Sequence, residues 1–272
     1  MIGSEVKLNI NGISDVGRVR EGNEDSIAWD ARLGLIMLAD GMGGHNAGEV
    51  ASALAVETIK TALQDVLAPE IQAADIIDYH DAVREAVVFA NQEIHEQAQM
   101  KTECAGMGTT VVMGLFRHDS VILAHVGDSR IYRFREGELT RMTSDHSLVQ
   151  EMVDSGYLSQ EEAQQSASKN LITRALGIAP DVEVDVNQIP VQRDDIFLMC
   201  SDGLSDLVND QEISQVIGDA GMDMQMATQE LVNLANERGG TDNISVILVS
   251  MTEAFSDERG AEPSTDTLNN PK

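Results

Sequence analysis

Apolar and polar positions alternate at the start of the chain. Val6, Leu8, Ile10 and Ile13 are set against Lys7, Asn9 and Asn11, the two-residue period of a half-buried strand. Residues 33–39 form a short apolar run stopped by Asp40-Gly41, and its length predicts a strand rather than a helix. The period then changes. Asn46 followed by Glu49 has the spacing of a capping box, and Val50, Ala53, Leu54, Ala55, Ile59, Leu63 and Val66 supply an apolar helical face that ends before Pro69. A second helix is predicted over 76–98, with Val83, Val87, Ala90, Ile94 and Ala98 at helical spacing. Both helices read as core packing.

Short β-rich runs follow at 109–116, 120–126 and 130–134. They are broken at Arg117-His118-Asp119 and Gly127-Asp128-Ser129, with a further turn at Glu136-Gly137-Glu138. Residues 143–175 are polar and helix-capable, the pattern of an insertion lying over a sheet edge. Strands are predicted again at 182–189 and 196–200, helices at 213–217 and 226–236, and a last strand at 243–251. Residues 252–272 lack periodicity and are rich in Ser, Asp, Glu, Gly, Pro and Asn, which predicts a disordered tail. Strands grouped as meanders favour antiparallel pairing, and interleaved helix pairs exclude a pure βαβ array. The expected class is α+β, a sandwich of antiparallel sheets with helices outside.

Composition narrows the function. A chain of 272 residues, 42% hydrophobic, can bury a large core. With aromatics at only 3%, that core must rest on aliphatic residues, Ala and Met. The net charge of −28 repels nucleic acid and anionic lipid, so neither is an expected partner. Two cysteines, Cys104 and Cys200, form no disulfide framework and no CxxC pair. Residues 1–10 show no signal-peptide pattern, and no apolar run approaches the ~20 residues that span a bilayer, so a cytoplasmic protein is expected.

One pattern recurs. Apolar runs end in Asp40-Gly41, in Ser201-Asp202-Gly203 and in Gly127-Asp128-Ser129, and Thr241-Asp242-Asn243 precedes the run 244–249. A single Asp-Gly makes a turn. Four acids at the ends of apolar strands are also what a shared site would need. If they meet, their repulsion must be relieved by protonation or by divalent cations. Oxygen ligands favour Mg²⁺, Mn²⁺ or Ca²⁺ over zinc, for which no His or Cys spacing is present.

Five segments carry a resemblance. Ser14-Asp15-Val16-Gly17-Arg18-Val19-Arg20-Glu21-Gly22-Asn23-Glu24-Asp25, Asp40-Gly41-Met42-Gly43-Gly44-His45, Val126-Gly127-Asp128-Ser129-Arg130, Cys200-Ser201-Asp202-Gly203-Leu204 and Gly239-Gly240-Thr241-Asp242-Asn243 closely resemble the motifs of the bacterial PP2C-type (PPM family) metal-dependent serine/threonine protein phosphatases. They do so in the family's order, over residues 6–251. The resemblance implies two antiparallel sheets face to face with helix pairs on both outer faces, and metals in a cleft at one edge.

It also implies roles. Asp40 would bridge two Mn²⁺ or Mg²⁺ ions, with the Gly41 carbonyl on one of them. Asp202 and Asp242 would bind the first ion. Asp25 would hold the second, helped by Glu24 through water. Asp128 with Asp202 would form a looser third site, and Arg20 would grip the phosphate. Asp145-His146-Ser147-Leu148 resembles the start of the family's flap, running from about 146 to 176. Met42 stands where many eukaryotic members carry a His proposed as general acid, with His45 nearby. The implied reaction is attack on phosphoserine or phosphothreonine of proteins by a water activated between the metals, with a cognate Ser/Thr kinase as counterpart. The alternatives are a phosphohydrolase of small phosphoesters and a catalytically silent phosphoprotein-binding module.

Overall fold

The structure is a computed structural model that describes residues 7–43, 47–67, 77–117, 119–159, 162–163, 166, 168 and 171–251. Side-chain alternation along three strands sets the architecture. In β3 (Leu35–Met42), Leu35, Met37 and Ala39 face one way and pack with Ile59, Leu63, Val87 and Ile94 of two helices, α1 (Ala47–Val66) and α2 (Tyr79–Met100). Ile36 and Leu38 face the other way, into a layer shared with Phe197, Met199, Ile247 and Val249. Those four come from β10 (Ile196–Cys200) and β11 (Ile244–Met251), whose remaining side chains, Ile196, Leu198, Val246 and Leu248, pack on a second helix pair. That pair is α5 (Asp210–Ala220) and α6 (Met224–Glu237). Strands buried on both faces read as continuous apolar runs, which is why 33–39, 196–200 and 244–249 stood out. Phe116 and Phe197 meet edge-to-face in the middle layer, with centroids 5.5 Å apart.

The result is four layers, helix–sheet–sheet–helix, and the class is α+β. One sheet runs in the order β1 (Leu8–Asp15), β11, β10, β7 (Arg130–Arg135), β8 (Glu138–Arg141). The other runs β2 (Asp25–Asp30), β3, β5 (Val111–Arg117), β6 (Ser120–Val126), β9 (Asp185–Pro190), with β4 (Gly108–Thr109) pairing β3. Every pairing is antiparallel.

Several expectations shift. The buried stripe of α1 is Ala51, Ala55, Ile59 and Leu63, while Val50 is exposed and Ala53 faces outward. Small residues on the buried side let the helix lie close on the sheet. Asn46 and Pro69, read as its cap and exit, lie outside the described residues, as do 252–272. The second helix starts later than residue 76, at Tyr79, because Asp78 accepts hydrogen bonds from the His80 and Asp81 amides. Asn209 and Glu212 form a capping box that starts α5 earlier than its apolar pattern indicated. Strands β2 and β8 were not foreseen, because their residues mix charge with few apolar positions. Of the polar stretch 143–175, α3 (Leu148–Asp154) is helical, and its two ends pair through Ser147 and Ile172. Among the described residues, no helix is long and apolar enough to cross a membrane.

Candidate active site

Both sheets bring acids to one edge of the sandwich. Asp25, the first residue of β2, is the register partner of Asp40 near the end of β3. From the other sheet, Asp202 opens the short helix α4 (Asp202–Ser205) directly after β10, and Asp242 stands just before β11, the neighbour of β10. Asp128 sits in the turn between β6 and β7. Ser201, the neighbour of Asp202, donates to Asp25 across the two sheets, and Asp128 and Asp202 line one cleft; the acids of this edge also act on one another electrostatically. Asp40 is pushed well above the usual carboxylate range by burial, and then by Asp25, Asp202, Asp128 and Asp242. Asp202 is raised in the same way by burial, Asp128 and Asp242. Burial pushes Asp25 and Asp128 each up to about 6. Glu24 is raised by burial, and Arg20 beside it pulls the other way.

The Asp-Gly pairs are not simple turns. Neither Gly41 nor Gly203 has positive φ. A Cβ on Gly41 would lie 2.1 Å from the Gly48 carbonyl oxygen and 2.5 Å from that of Glu24, and one on Gly203 would lie 1.9 Å from the Asn243 carbonyl oxygen. Glycine there lets α1, the Glu24 backbone and the Asp242 loop crowd against the acids. Thr110 Oγ1 accepts from the Asp40 amide at 3.1 Å, and the Asp40 carbonyl accepts from the Thr110 amide at 2.8 Å.

Polar side chains whose individual roles the sequence did not reveal hold this arrangement. Asn243, buried, accepts the Glu24 amide on Oδ1 (2.8 Å) and donates from Nδ2 to the carbonyls of Val16 (3.0 Å) and Gly22 (2.9 Å). It thereby staples the Arg20-bearing loop to the Asp242 strand end. Ser201 donates to Asp25 Oδ2 at 2.9 Å and accepts the Ser245 amide at 3.0 Å. The signal was present, since Ser201 and Asn243 flank Asp202 and Asp242 inside the same motifs, but a neutral neighbour announces no chemistry until its partners are known.

Arg20 Nη2 donates to Asp242 Oδ2 at 2.7 Å from a side chain 47% exposed. Met42 is paired with Gly108 on β4, and His45 lies outside the described residues. From Asp128 and Asp202 a cleft of about 700 Å³ runs beneath α3, past Ser147, Gln150 and Asp206.

The donor set fits hard divalent cations. The candidate ligand atoms are carboxylate oxygens, with Arg20 on Asp242 the only cation in hydrogen-bond contact with them among the described residues, and Asp25 Oδ1 is buried without a hydrogen-bond partner.

The sequence profile of the protein phosphatase 2C family matches residues 18–248. The chain belongs to that family. Its phosphatase 2C relatives include the serine/threonine phosphatase Stp of Listeria monocytogenes, 36% identical over 239 residues that cover 87% of this chain and 93% of Stp. Another is protein phosphatase PhpP of Streptococcus pneumoniae, 36% identical over 249 residues, 90% of this chain and 98% of PhpP. Among solved phosphatase 2C structures, the Mycobacterium tuberculosis serine/threonine phosphatase PstP superposes with a TM-score of 0.82 at 37% identity, covering 90% of this chain and 99% of PstP. The catalytic domain of PstP in complex with two manganese ions superposes at 0.79, with the same identity and coverage.

Proposed function

We propose that this chain is a metal-dependent protein phosphatase that hydrolyses phosphoserine and phosphothreonine in proteins. The observation that carries the reading is the placement of Asp25, Asp40, Asp128, Asp202 and Asp242 at one sandwich edge, with Asp25, Asp40, Asp128 and Asp202 held above their ordinary range by burial and by neighbouring acids. Mn²⁺ or Mg²⁺ would be held by Asp40 and the Gly41 carbonyl together with the neighbouring acids. Asp202 and Asp242 would serve the first ion, Asp25 with Glu24 the second, and Asp128 with Asp202 a third. When bound, such ions supply Lewis acidity toward the phosphoryl group and activate water near neutral pH.

The chain's own groups do the rest. Arg20 presents a planar fork to two phosphate oxygens, and Asn243 fixes the loop that carries it. Ser201 orients Asp25. No thiol competes as nucleophile. Cys104 and Cys200 are buried, and burial pushes the Cys200 thiol up to about 12. The cleft beneath α3 gives room for residues flanking a phosphorylated side chain, which favours a polypeptide over a small phosphoester. A cognate Ser/Thr kinase and a cytoplasmic location belong to the same reading.

The test is hydrolysis of p-nitrophenyl phosphate and of a panel of phosphopeptides and phosphometabolites with Mn²⁺, with EDTA, and with Mn²⁺ restored. Activity on phosphopeptides that EDTA abolishes and Mn²⁺ restores is expected. Equal turnover in EDTA removes the metal mechanism. Turnover confined to small phosphoesters removes the protein-substrate assignment, and no turnover at all leaves a binding module.

A further inference from the structure

A second cluster of titratable side chains lies behind the Asp128 turn. His125 on β6, His146 at the start of the polar stretch, and Asp185 on β9 bring ligand atoms within 4.8 Å of one another. The two imidazoles stack at 4.6 Å. Their hydrogen bonds argue against a metal there. A neutral imidazole has one lone pair. In His146 the Gly127 amide takes it, donating to Nδ1 at 3.0 Å. The proton is then on Nε2, facing Asp185 Oδ2 at 3.5 Å. The Arg174 guanidinium, 3.0 Å from that Nε2, has Asp185 Oδ1 (2.9 Å) and the Glu183 carbonyl (3.3 Å) as acceptors. A cation at Nε2 would have to displace both the arginine and the Gly127 bond.

The same contacts define another role. The His146 amide donates to the Gly127 carbonyl at 2.9 Å, so His146 satisfies both polar groups of Gly127, one with its main chain and one with its ring. Its own carbonyl accepts the Thr173 amide at 2.8 Å, and Leu148 donates to the Leu171 carbonyl at 2.9 Å. The two ends of the 146–176 stretch are thus zipped together at the residue that grips the turn before Asp128. Arg174, one residue beyond Thr173, anchors that zipper to β9 through Asp185.

We infer that His146 is a positioning residue: its Nδ1 and main chain clamp Gly127, and this clamp ties the aim of Asp128 into the acid cluster to the closed base of the flap. The inference rests on the reading of Asp128 as a cation ligand given above. It goes beyond that reading by assigning to a side chain that touches neither cation nor substrate the job of holding one corner of the site.

Four variants test it. In Asn, Oδ1 occupies the place of imidazole Nδ1, so His146→Asn keeps an acceptor for Gly127. His146→Gln moves its polar atoms to the Nε2 position, and His146→Leu removes them while keeping bulk. Asp128→Asn is the reference. Hydrogen–deuterium exchange at Gly127 and calorimetric Mn²⁺ binding are measured on the full chain. In His146→Gln and His146→Leu we expect Gly127 exchange to rise about tenfold, the worth of one buried hydrogen bond. We expect the same Mn²⁺ site to be weakened as in Asp128→Asn, with His146→Asn close to wild type in both readouts. The inference is overturned by unchanged Gly127 exchange in His146→Gln, by unchanged Mn²⁺ binding there while Asp128→Asn loses a site, or by His146→Asn failing as badly as His146→Leu. Unchanged Mn²⁺ binding in Asp128→Asn itself instead removes Asp128 from the cation site, and the Gly127 exchange then decides the clamp alone.

Discussion

Two sets of carboxylates flank the Gly127–Asp128 turn, and they are built on opposite principles. On one side Asp145, 10% exposed, receives Arg130 through Nε at 3.1 Å and Nη2 at 2.8 Å, and pairs with Arg141 Nη2 at 2.5 Å. Its charge is cancelled within the protein. On the other side are Asp25, Asp40, Asp128, Asp202 and Asp242. Among the described residues, Arg20 is the only cation in hydrogen-bond contact with these five, and it touches Asp242 alone. Burial against a counter-charge makes an acid part of the scaffold. Burial against other acids leaves a demand that only something from outside can meet, and the strain of that arrangement is the mark of a site. Asp145 follows Ser144 as Asp202 follows Ser201, so the difference lies in what each acid meets across the fold.

The largest effect should come from removing acids of the second set. Asp40→Asn, Asp202→Asn and Asp242→Asn are each expected to lower Mn²⁺-dependent turnover of p-nitrophenyl phosphate by at least about two orders of magnitude. In EDTA, Asp40→Asn and Asp202→Asn should melt at a higher temperature than wild type, since each removes a repelling charge. Lower activity with higher metal-free stability is a signature that a scaffold acid cannot give. Near-normal turnover in all three variants would dissolve the contrast.

Acidity should separate the two regions next. Asp25 and Asp128 titrate near 6 in the fold, against 3.8 when unperturbed. Between those values the folded metal-free protein holds more protons than the unfolded chain, so these acids cost stability at neutral pH and the cost disappears as pH falls from 6 toward 4. For one such carboxyl that is of order 2–3 kcal/mol. His146, lowered to about 4 by burial and then by His125, acts with the opposite sign. Its stabilising neutral form is fully effective above 6.5 and is lost on the way down to 4. Urea melts at pH 5 and pH 8, each in EDTA and in Mn²⁺, remove the histidine contribution by difference. Mn²⁺ stabilisation should be several-fold smaller at pH 5. Equal stabilisation at both values contradicts cation binding at these carboxylates.

The compensated side should fail in stability instead. Asp145→Asn leaves Arg130 and Arg141 without their carboxylate, and breaking one partner of a mostly buried pair is expected to cost about 2–3 kcal/mol in urea unfolding. The metal-free protein should show this loss as fully as the Mn²⁺-loaded one. A loss seen only with Mn²⁺ would move Asp145 to the other side of the comparison.

How much of this was legible in the sequence depends on whether a residue acts within its own segment. β3, β10 and β11 were readable because strands covered on both faces are unbroken apolar runs, and the four-layer arrangement follows once those runs alternate between two cores. Strand β2, with Asp25 and Asp30 at its ends, has no such run. It is held by pairing with β3, which lies outside any local window. Asp25, on the unread β2, was named only through the family resemblance, whereas Asp40, Asp128, Asp202 and Asp242 could be named because each sits at the end of an apolar run. Asn243 and Ser201 could not, because what makes them matter is a carbonyl of Val16 some 227 positions away and a carboxylate 176 positions away. The capacity of His146 to clamp a turn was equally hidden, since its partner, Gly127, is defined by the fold.

The smallest expected effect probes Arg20, the arginine proposed to grip the phosphate. Arg20 is 47% exposed and bound to Asp242 by one nitrogen, so its loss removes no core contact, and Arg20→Gln should leave the melting temperature within about a degree, as for surface changes away from packed features. Its forked geometry suits two oxygens of a phosphate, which Gln cannot reproduce. The expected result is a KM for phosphopeptide raised about tenfold, with a smaller fall in kcat, because most of such a contact is present before the transition state. Because Arg20 also neutralises part of Asp242, the variant should bind Mn²⁺ slightly more tightly in calorimetry. A fall in both stability and Mn²⁺ affinity, with KM unchanged, would instead make Arg20 a scaffold partner of Asp242, as Arg130 is of Asp145, and would erase the asymmetry between the two regions.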